Sequence, residues 1–134
     1  MSQENVEIVQ RFLRHWTDQN ADAALNDVDP TAVLDWSNSE APDSGVYTGH
    51  PAWRAFMQRR DEAFGNRRLE STEVLTPAPD TVVLCVRIRE RGLASGVEVE
   101  SAGGSVWTLR AGKVVHLKLY QSASEALEAV GLEG

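Results

Sequence analysis

The feature that most constrains this chain is a change of hydrophobic period partway along it. Through Phe64 the apolar residues recur mainly at helical spacing, whereas from Thr81 to Tyr120 they alternate. The clearest alternating stretch sets Val82, Leu84, Val86 and Ile88 on one face against Val83, Cys85, Arg87 and Arg89, so one face is wholly apolar. Strands that follow one another without intervening helices pair as hairpins, and helices that precede them must bury their apolar stripes on the resulting sheet. The chain is therefore expected to be an α+β domain with a curved, mostly antiparallel sheet wrapped around N-terminal helices.

The elements follow from local signals. Val6, Val9, Leu13 and Trp16, flanked by Ile8 and Phe12, form the stripe of a first helix, with Glu4 and Glu7 early and Arg11 and Arg14 late. Asn20 caps a second short helix bearing Ala21, Ala24, Leu25 and Val28, which Asp29-Pro30 stops. From Thr31 to Asn38 a strand places Val33, Asp35 and Ser37 opposite Ala32, Leu34 and Trp36. Ser39 to Gly49 reads as a loop of a size suited to a mouth or lid. Pro51 opens a third helix carrying Trp53, Phe56, Met57, Arg60 and Phe64, with Gly65 closing it. A weaker strand after Arg67 leads to a turn at Pro77-Ala78-Pro79-Asp80, and Gly92 to Gly96 forms a second turn. Gly103-Gly104 inside the next strand reads as a bulge rather than a phosphate cradle, because no GxxxxGK follows. Taking Arg110-Ala111-Gly112 as a three-residue hairpin pairs Leu109 with Lys113. Trp107, Leu109, Val115, Leu117 and Leu119 then share one face, and Val106, Thr108, Val114, His116, Lys118 and Tyr120 the other. Ser122 and Glu125 make a capping box for a last helix ended by Gly131.

Several function classes are excluded at this level. The 134 residues, 42% of them apolar, are expected to form one domain over 1–134 with a sizeable core. The longest apolar run, Val82 to Val86, falls far short of the roughly 18 residues of a membrane span, and Met1–Glu7 has no basic start or apolar stretch. A soluble, cytoplasmic protein is expected. Lone Cys85 has no internal disulfide partner, and His15, His50 and His116 lack metal-ligand spacing, so neither metal nor cofactor is expected. A net charge of −7 repels phosphate backbones. The arginine groups Arg59-Arg60, Arg67-Arg68 and Arg87/Arg89/Arg91 are interleaved with Asp61, Glu62 and Glu90 and read as solvated faces, so nucleic acid is not an expected partner.

The order of elements, with Asn5-Val6-Glu7-Ile8-Val9, Val33-Leu34-Asp35-Trp36-Ser37, Gly45-Val46-Tyr47-Thr48-Gly49-His50, Val106 to Val115 and Glu125-Ala126-Leu127, resembles the SnoaL-like polyketide cyclases and ketosteroid isomerases of the nuclear-transport-factor-2-like superfamily. The resemblance implies a cone, the cystatin-like α+β roll. It matches Asp35 to the general base of the isomerases, a role in which a partly dry pocket raises a carboxylate's basicity. It places Phe12 and Ser105 where those isomerases hold their oxyanion donors, and Leu117 and Leu119 where the cyclases hold a histidine and an aspartate. Phenylalanine cannot donate, a serine hydroxyl is a weaker oxyanion partner than a neutral carboxylic acid, and the cyclases' acid/base pair is missing, with His116 on the opposite face.

What the resemblance leaves is Asp35 in a cavity lined by Phe12, Trp16, Trp53, Phe56, Met57, Trp107, Leu117 and Leu119, with Ser105, Gln121 and Tyr47 able to orient polar groups of a small, mainly hydrophobic ligand. Two readings follow. In one, Asp35 moves a proton in a cofactor-independent isomerisation, cyclisation or hydration. In the other, the chain is a ligand-binding or dimerisation module without enzyme activity. An epoxide hydrolase would also need a second carboxylate and an arginine beside Asp35, and Arg87, the nearest, falls on the wrong strand face. The outer face of Val106, Thr108, Val114, His116 and Tyr120 is too apolar for a solvated sheet and is expected to pair two copies as a homodimer, as relatives in this family often pair.

Overall fold

The computed structural model describes residues 2–39 and 42–131. Its elements run α1 (Ser2–Thr17), α2 (Ala21–Leu25), β1 (Val28–Asp35), β2 (Val46–Thr48), α3 (His50–Ala63), β3 (Phe64–Ala78), β4 (Thr81–Gly92), β5 (Glu98–Arg110), β6 (Lys113–Tyr120) and α4 (Ala123–Ala129). The strands form one sheet in the order β2-β1-β6-β5-β4-β3. β3 to β6 are consecutive antiparallel hairpins, and the parallel pairing of β1 with β6 joins the first strand to the last.

The helices lie on both sides of this sheet. Val9 and Phe12 of α1 and Trp53, Phe56 and Met57 of α3 bury against Ala32, Leu34, Val82, Leu84, Trp107, Leu109, Val114 and Leu117 on the inner face. On the outer face a second, smaller cluster joins Val83 to Ala126 and Leu127 of α4, with Leu75, Val106 and Tyr120 packed around them. Ser122 fixes the start of α4 as the capping box predicts, its hydroxyl accepting from the Glu125 amide at 3.2 Å.

Several local expectations are corrected. α2 is shorter than expected, and Val28 opens β1 instead of closing that helix. Pro30 is tolerated there because the β1–β6 ladder shifts register between Val28 and Val33. Residues 46–48, expected in the loop, pair with β1, while 40 and 41 of that loop lie outside the described residues. Phe64, extended, ends α3, so Gly65 already belongs to β3.

The β5–β6 turn has two residues, not three. Ala111 and Gly112 both have positive φ, at 51° and 77°, and Arg110 pairs with Lys113. A bulge between Thr108/His116 and Leu109/Val114 absorbs the difference. Val114 therefore enters the core fully buried while half-buried Val115 stays outside both clusters, and Leu117 remains inside as expected.

No bulge occurs at Gly103-Gly104, where the ladder to β4 is continuous. Gly104 serves instead to admit α4: a Cβ there would lie 2.5 Å from the Ala126 Cβ and 3.0 Å from the Ser122 carbonyl oxygen.

Candidate ligand-binding site

The depth of the cone is filled by its own side chains. Phe12 stacks edge-on against Trp107, with centroids 5.2 Å apart, and against Trp53 at 6.1 Å. Trp53 donates from Nε1 to the Ala32 carbonyl at 3.0 Å. Trp107 donates to the Ser105 hydroxyl at 2.8 Å, and that hydroxyl donates to the Leu84 carbonyl at 3.2 Å. Of the expected lining, Phe12, Trp53, Phe56, Met57, Trp107 and Leu117 are thus core, and the polar atoms that would orient a ligand in the depth are already bonded.

Toward the open end the packing loosens. Trp16, Trp36, Tyr47 and Leu119 are half-buried against the core, and Gln121 is exposed. Tyr47 packs on Phe56 at 5.0 Å, donates its hydroxyl to the Asp43 carbonyl and accepts from Arg59 Nη2 at 2.9 Å. On β5, Trp107 and Ser105 are buried, but Ser101 and Val99, in phase with them on the same face, are exposed. The inner face loses its cover over these few residues.

Asp35 is not part of this surface. Its Cα partner on β6 is Lys118, and neighbouring Leu34 and Leu117 face the core, so alternation turns Asp35 to the outer side. The expectation of a cavity-facing base is corrected by this register. The Ser37 hydroxyl and amide both donate to Asp35 Oδ1, and Lys118 Nζ lies 3.9 Å from Oδ2. The Ser37 hydroxyl bond foremost, with Lys118 and His116 adding positive charge, lowers the carboxyl pKa against the opposing effect of desolvation, which makes it a weaker base.

The charged cluster that does lie on the inner side comes from residues expected to be solvated. Arg67 has a wholly buried side chain. It donates from Nε to Glu90 Oε2 at 2.8 Å, and from Nη1 to Asp61 Oδ1 at 3.1 Å and to the Trp16 carbonyl at 2.9 Å. Its guanidinium stacks 4.0 Å from the Trp16 ring centroid. Arg60 donates to the other Glu90 oxygen at 2.8 Å. Glu90 thus has an arginine on each oxygen and is no free base.

One signal for this cluster was present in the sequence: Glu90 continues the apolar phase of Val82, Leu84, Val86 and Ile88, and a carboxylate there requires a buried cation. The β3 register shift between Gly65 and Arg68 removed any alternation that would have identified Arg67 as that cation. Among the described residues, no group of three or more His, Cys, Asp and Glu is placed to hold a metal, and no helix is long and apolar enough to cross a membrane.

A curved, unclosed sheet around N-terminal helices is a cone-shaped α+β fold, shared with solved structures of NTF2-like proteins from Burkholderia pseudomallei K96243 and Burkholderia xenovorans LB400. The sequence matches the SnoaL-like domain over residues 9–117, and the chain belongs to that family. No curated protein matches it. Solved structures share the fold at low identity. TerC, co-crystallised with polyporic acid, is 18% identical, with a TM-score of 0.77 over 96% of this chain and 98% of its own. A protein described as a SnoaL-like polyketide cyclase from Jannaschia sp. CCS1 is also 18% identical, with a TM-score of 0.77 over 100% of this chain and 96% of its own. A protein of ketosteroid isomerase-like fold from Catenulispora acidiphila DSM 44928, in complex with trimethylamine, is 18% identical, with a TM-score of 0.75 over 94% and 93%.

Proposed function

We propose that this chain binds a small, mainly hydrophobic molecule at the open end of the cone and uses no proton transfer by Asp35. The observation that carries the reading is the loss of cover along the inner face of β5, from buried Ser105 to exposed Ser101 and Val99, in a cone whose depth is already packed. Half-buried Trp16, Trp36, Tyr47 and Leu119 supply the flat apolar walls that such a ligand needs. The complexes of TerC with polyporic acid and of the Catenulispora protein with trimethylamine support the use of this fold as a small-molecule receptor. Asp35 faces outward with a lowered pKa, and Leu117 and Leu119 offer no acid or base, which favours binding over catalysis.

Amide NMR during titration with 2-isopropenylnaphthalene tests the reading. Shifts centred on Trp16, Trp36, Tyr47 and Leu119, unchanged in Asp35→Asn, are expected. Saturable shifts centred on Asp35 and Lys118 would overturn it.

Self-association is retained in this reading on a smaller outer patch than the sequence suggested. Val106 and Tyr120 pack under α4 and Val114 is core, which leaves half-buried Val33, Thr108, Val115 and His116 outside both clusters. In sedimentation, Val115→Lys should convert a dimer to a monomer.

A further inference from the structure

Three of the four exposed large hydrophobic residues among the described residues, Leu93 at 61%, Val97 at 58% and Val99 at 44%, cluster at the β4–β5 turn. This turn adjoins the buried charged cluster: Val99 is the cross-strand partner of Glu90, and the Leu93 amide donates to the Ala63 carbonyl at the end of α3. Within that cluster, Arg67 Nη2 is the one buried side-chain nitrogen or oxygen without a hydrogen-bond partner among the described residues. A buried guanidinium donor left unbonded is costly, because charged donors lose strong interactions with water.

We propose, resting on the ligand-binding reading above, that Arg67 Nη2 is the polar anchor of the ligand site and that Leu93, Val97 and Val99 form its apolar rim. The charge count selects the ligand class. Arg60 and Arg67 are matched by Asp61 and Glu90, so the cluster is neutral as it stands. An added carboxylate would face two carboxylates already in place, whereas a neutral acceptor oxygen completes the donor set without adding charge. The ligand is therefore an apolar molecule bearing a neutral acceptor such as a ketone or amide. Trp16 stacks over the guanidinium, whose Nη2 hydrogens point in its own plane, so an acceptor bonds Nη2 at the edge of this stack.

A matched pair of probes tests this in the native protein: 2-acetylnaphthalene and 2-isopropenylnaphthalene share a shape and differ in C=O against C=CH2. Binding is measured by tryptophan fluorescence, and the Arg67 guanidinium is followed by side-chain NMR. A charge-assisted hydrogen bond predicts that the ketone binds about tenfold or more tightly than the alkene, with a shifted Arg67 Nη resonance. In Arg67→Lys, which keeps the charge beside Glu90, the preference should fall to within about twofold. Should that variant not fold, the comparison in the native protein still decides. Equal affinities for the two probes, with Arg67 unmoved, would overturn the assignment of Arg67 and leave the ligand-binding reading standing. Binding of neither probe would overturn both. Tighter binding of 2-naphthoate than of the ketone would overturn the neutral ligand class.

Discussion

Replacing Gly104 with alanine should loosen the packing of α4 on the sheet. The added methyl would lie 2.5 Å from the Ala126 Cβ, 3.0 Å from the Ser122 carbonyl oxygen and 3.3 Å from the Ala123 Cα. Carbon atoms pack at about 3.5–4.0 Å, so the helix must retreat by roughly 1 Å or more. Two of the three contacts are backbone and cannot swing away as a flexible side chain would. Overpacking of this kind costs about 1–3 kcal/mol. For a domain of this size that lowers Tm by about 4–12 °C.

Cys85 gives an independent readout, because it pairs with Gly104 across β4 and β5 and is 1% exposed. Burial pushes its thiol pKa up, with Glu73 adding to the effect, so in the native protein it should react slowly with 5,5′-dithiobis(2-nitrobenzoate). Gly104→Ala should speed that reaction while leaving the inner core intact. Adding Ala126→Gly removes the shortest contact and should recover part of the loss. A Gly104→Ala protein that melts within about 1 °C of native, with Cys85 no more reactive, would refute the reasoning.

Other perturbations probe separate features. Glu90→Leu leaves wholly buried Arg67 without its Nε partner and should cost about 3–5 kcal/mol in urea unfolding, with much of it recovered in Arg67→Met/Glu90→Leu. A lone substitution no worse than an ordinary surface change would argue against a buried pair. Asp35 has a lowered folded pKa, so its contribution is present above the unfolded value of about 3.9 and is lost as pH falls through the folded value. Asp35→Asn should therefore show a smaller fall in Tm between neutral and acidic pH than the native protein, and an unchanged profile would contradict the Ser37 bond. Ala111 has a φ of 51°, a conformation that asparagine adopts more readily, so Ala111→Asn should raise Tm modestly; a lower Tm would count against the two-residue turn.

The parts of the fold set by repeated patterns were legible in the sequence. The helical stripe of Val9 and Phe12, the alternation from Val82 to Ile88 and the Ser122–Glu125 cap all specify local geometry directly. Pattern and structure diverge where a single residue changes phase. A hairpin one residue shorter with a compensating bulge exchanged Val114 and Val115 yet left Leu117 in place, because two opposite shifts cancel beyond the bulge. The site was less legible. Asp35 matched a family position, but its direction depends on pairing with a strand at the far end of the sequence. Arg67 looked like part of a charge run because burial of a charge is decided by distant partners, here Glu90, Asp61 and Trp16.

The parallel pairing of β1 with β6 has a consequence for how the molecule is assembled. Leu34 meets Leu117 and Asp35 meets Lys118, so β1 stays without its main neighbour until residues 113–120 have been made. The β3–β6 hairpins can form from nearby segments, but closing β1 onto them joins residues far apart in sequence, a step that slows folding. β2, whose neighbour in the sheet is β1, joins the sheet in the same event. A nascent chain halted before Lys113 would thus lack the strand onto which β1 docks, and β1 and β2 would join the sheet only once that strand is present.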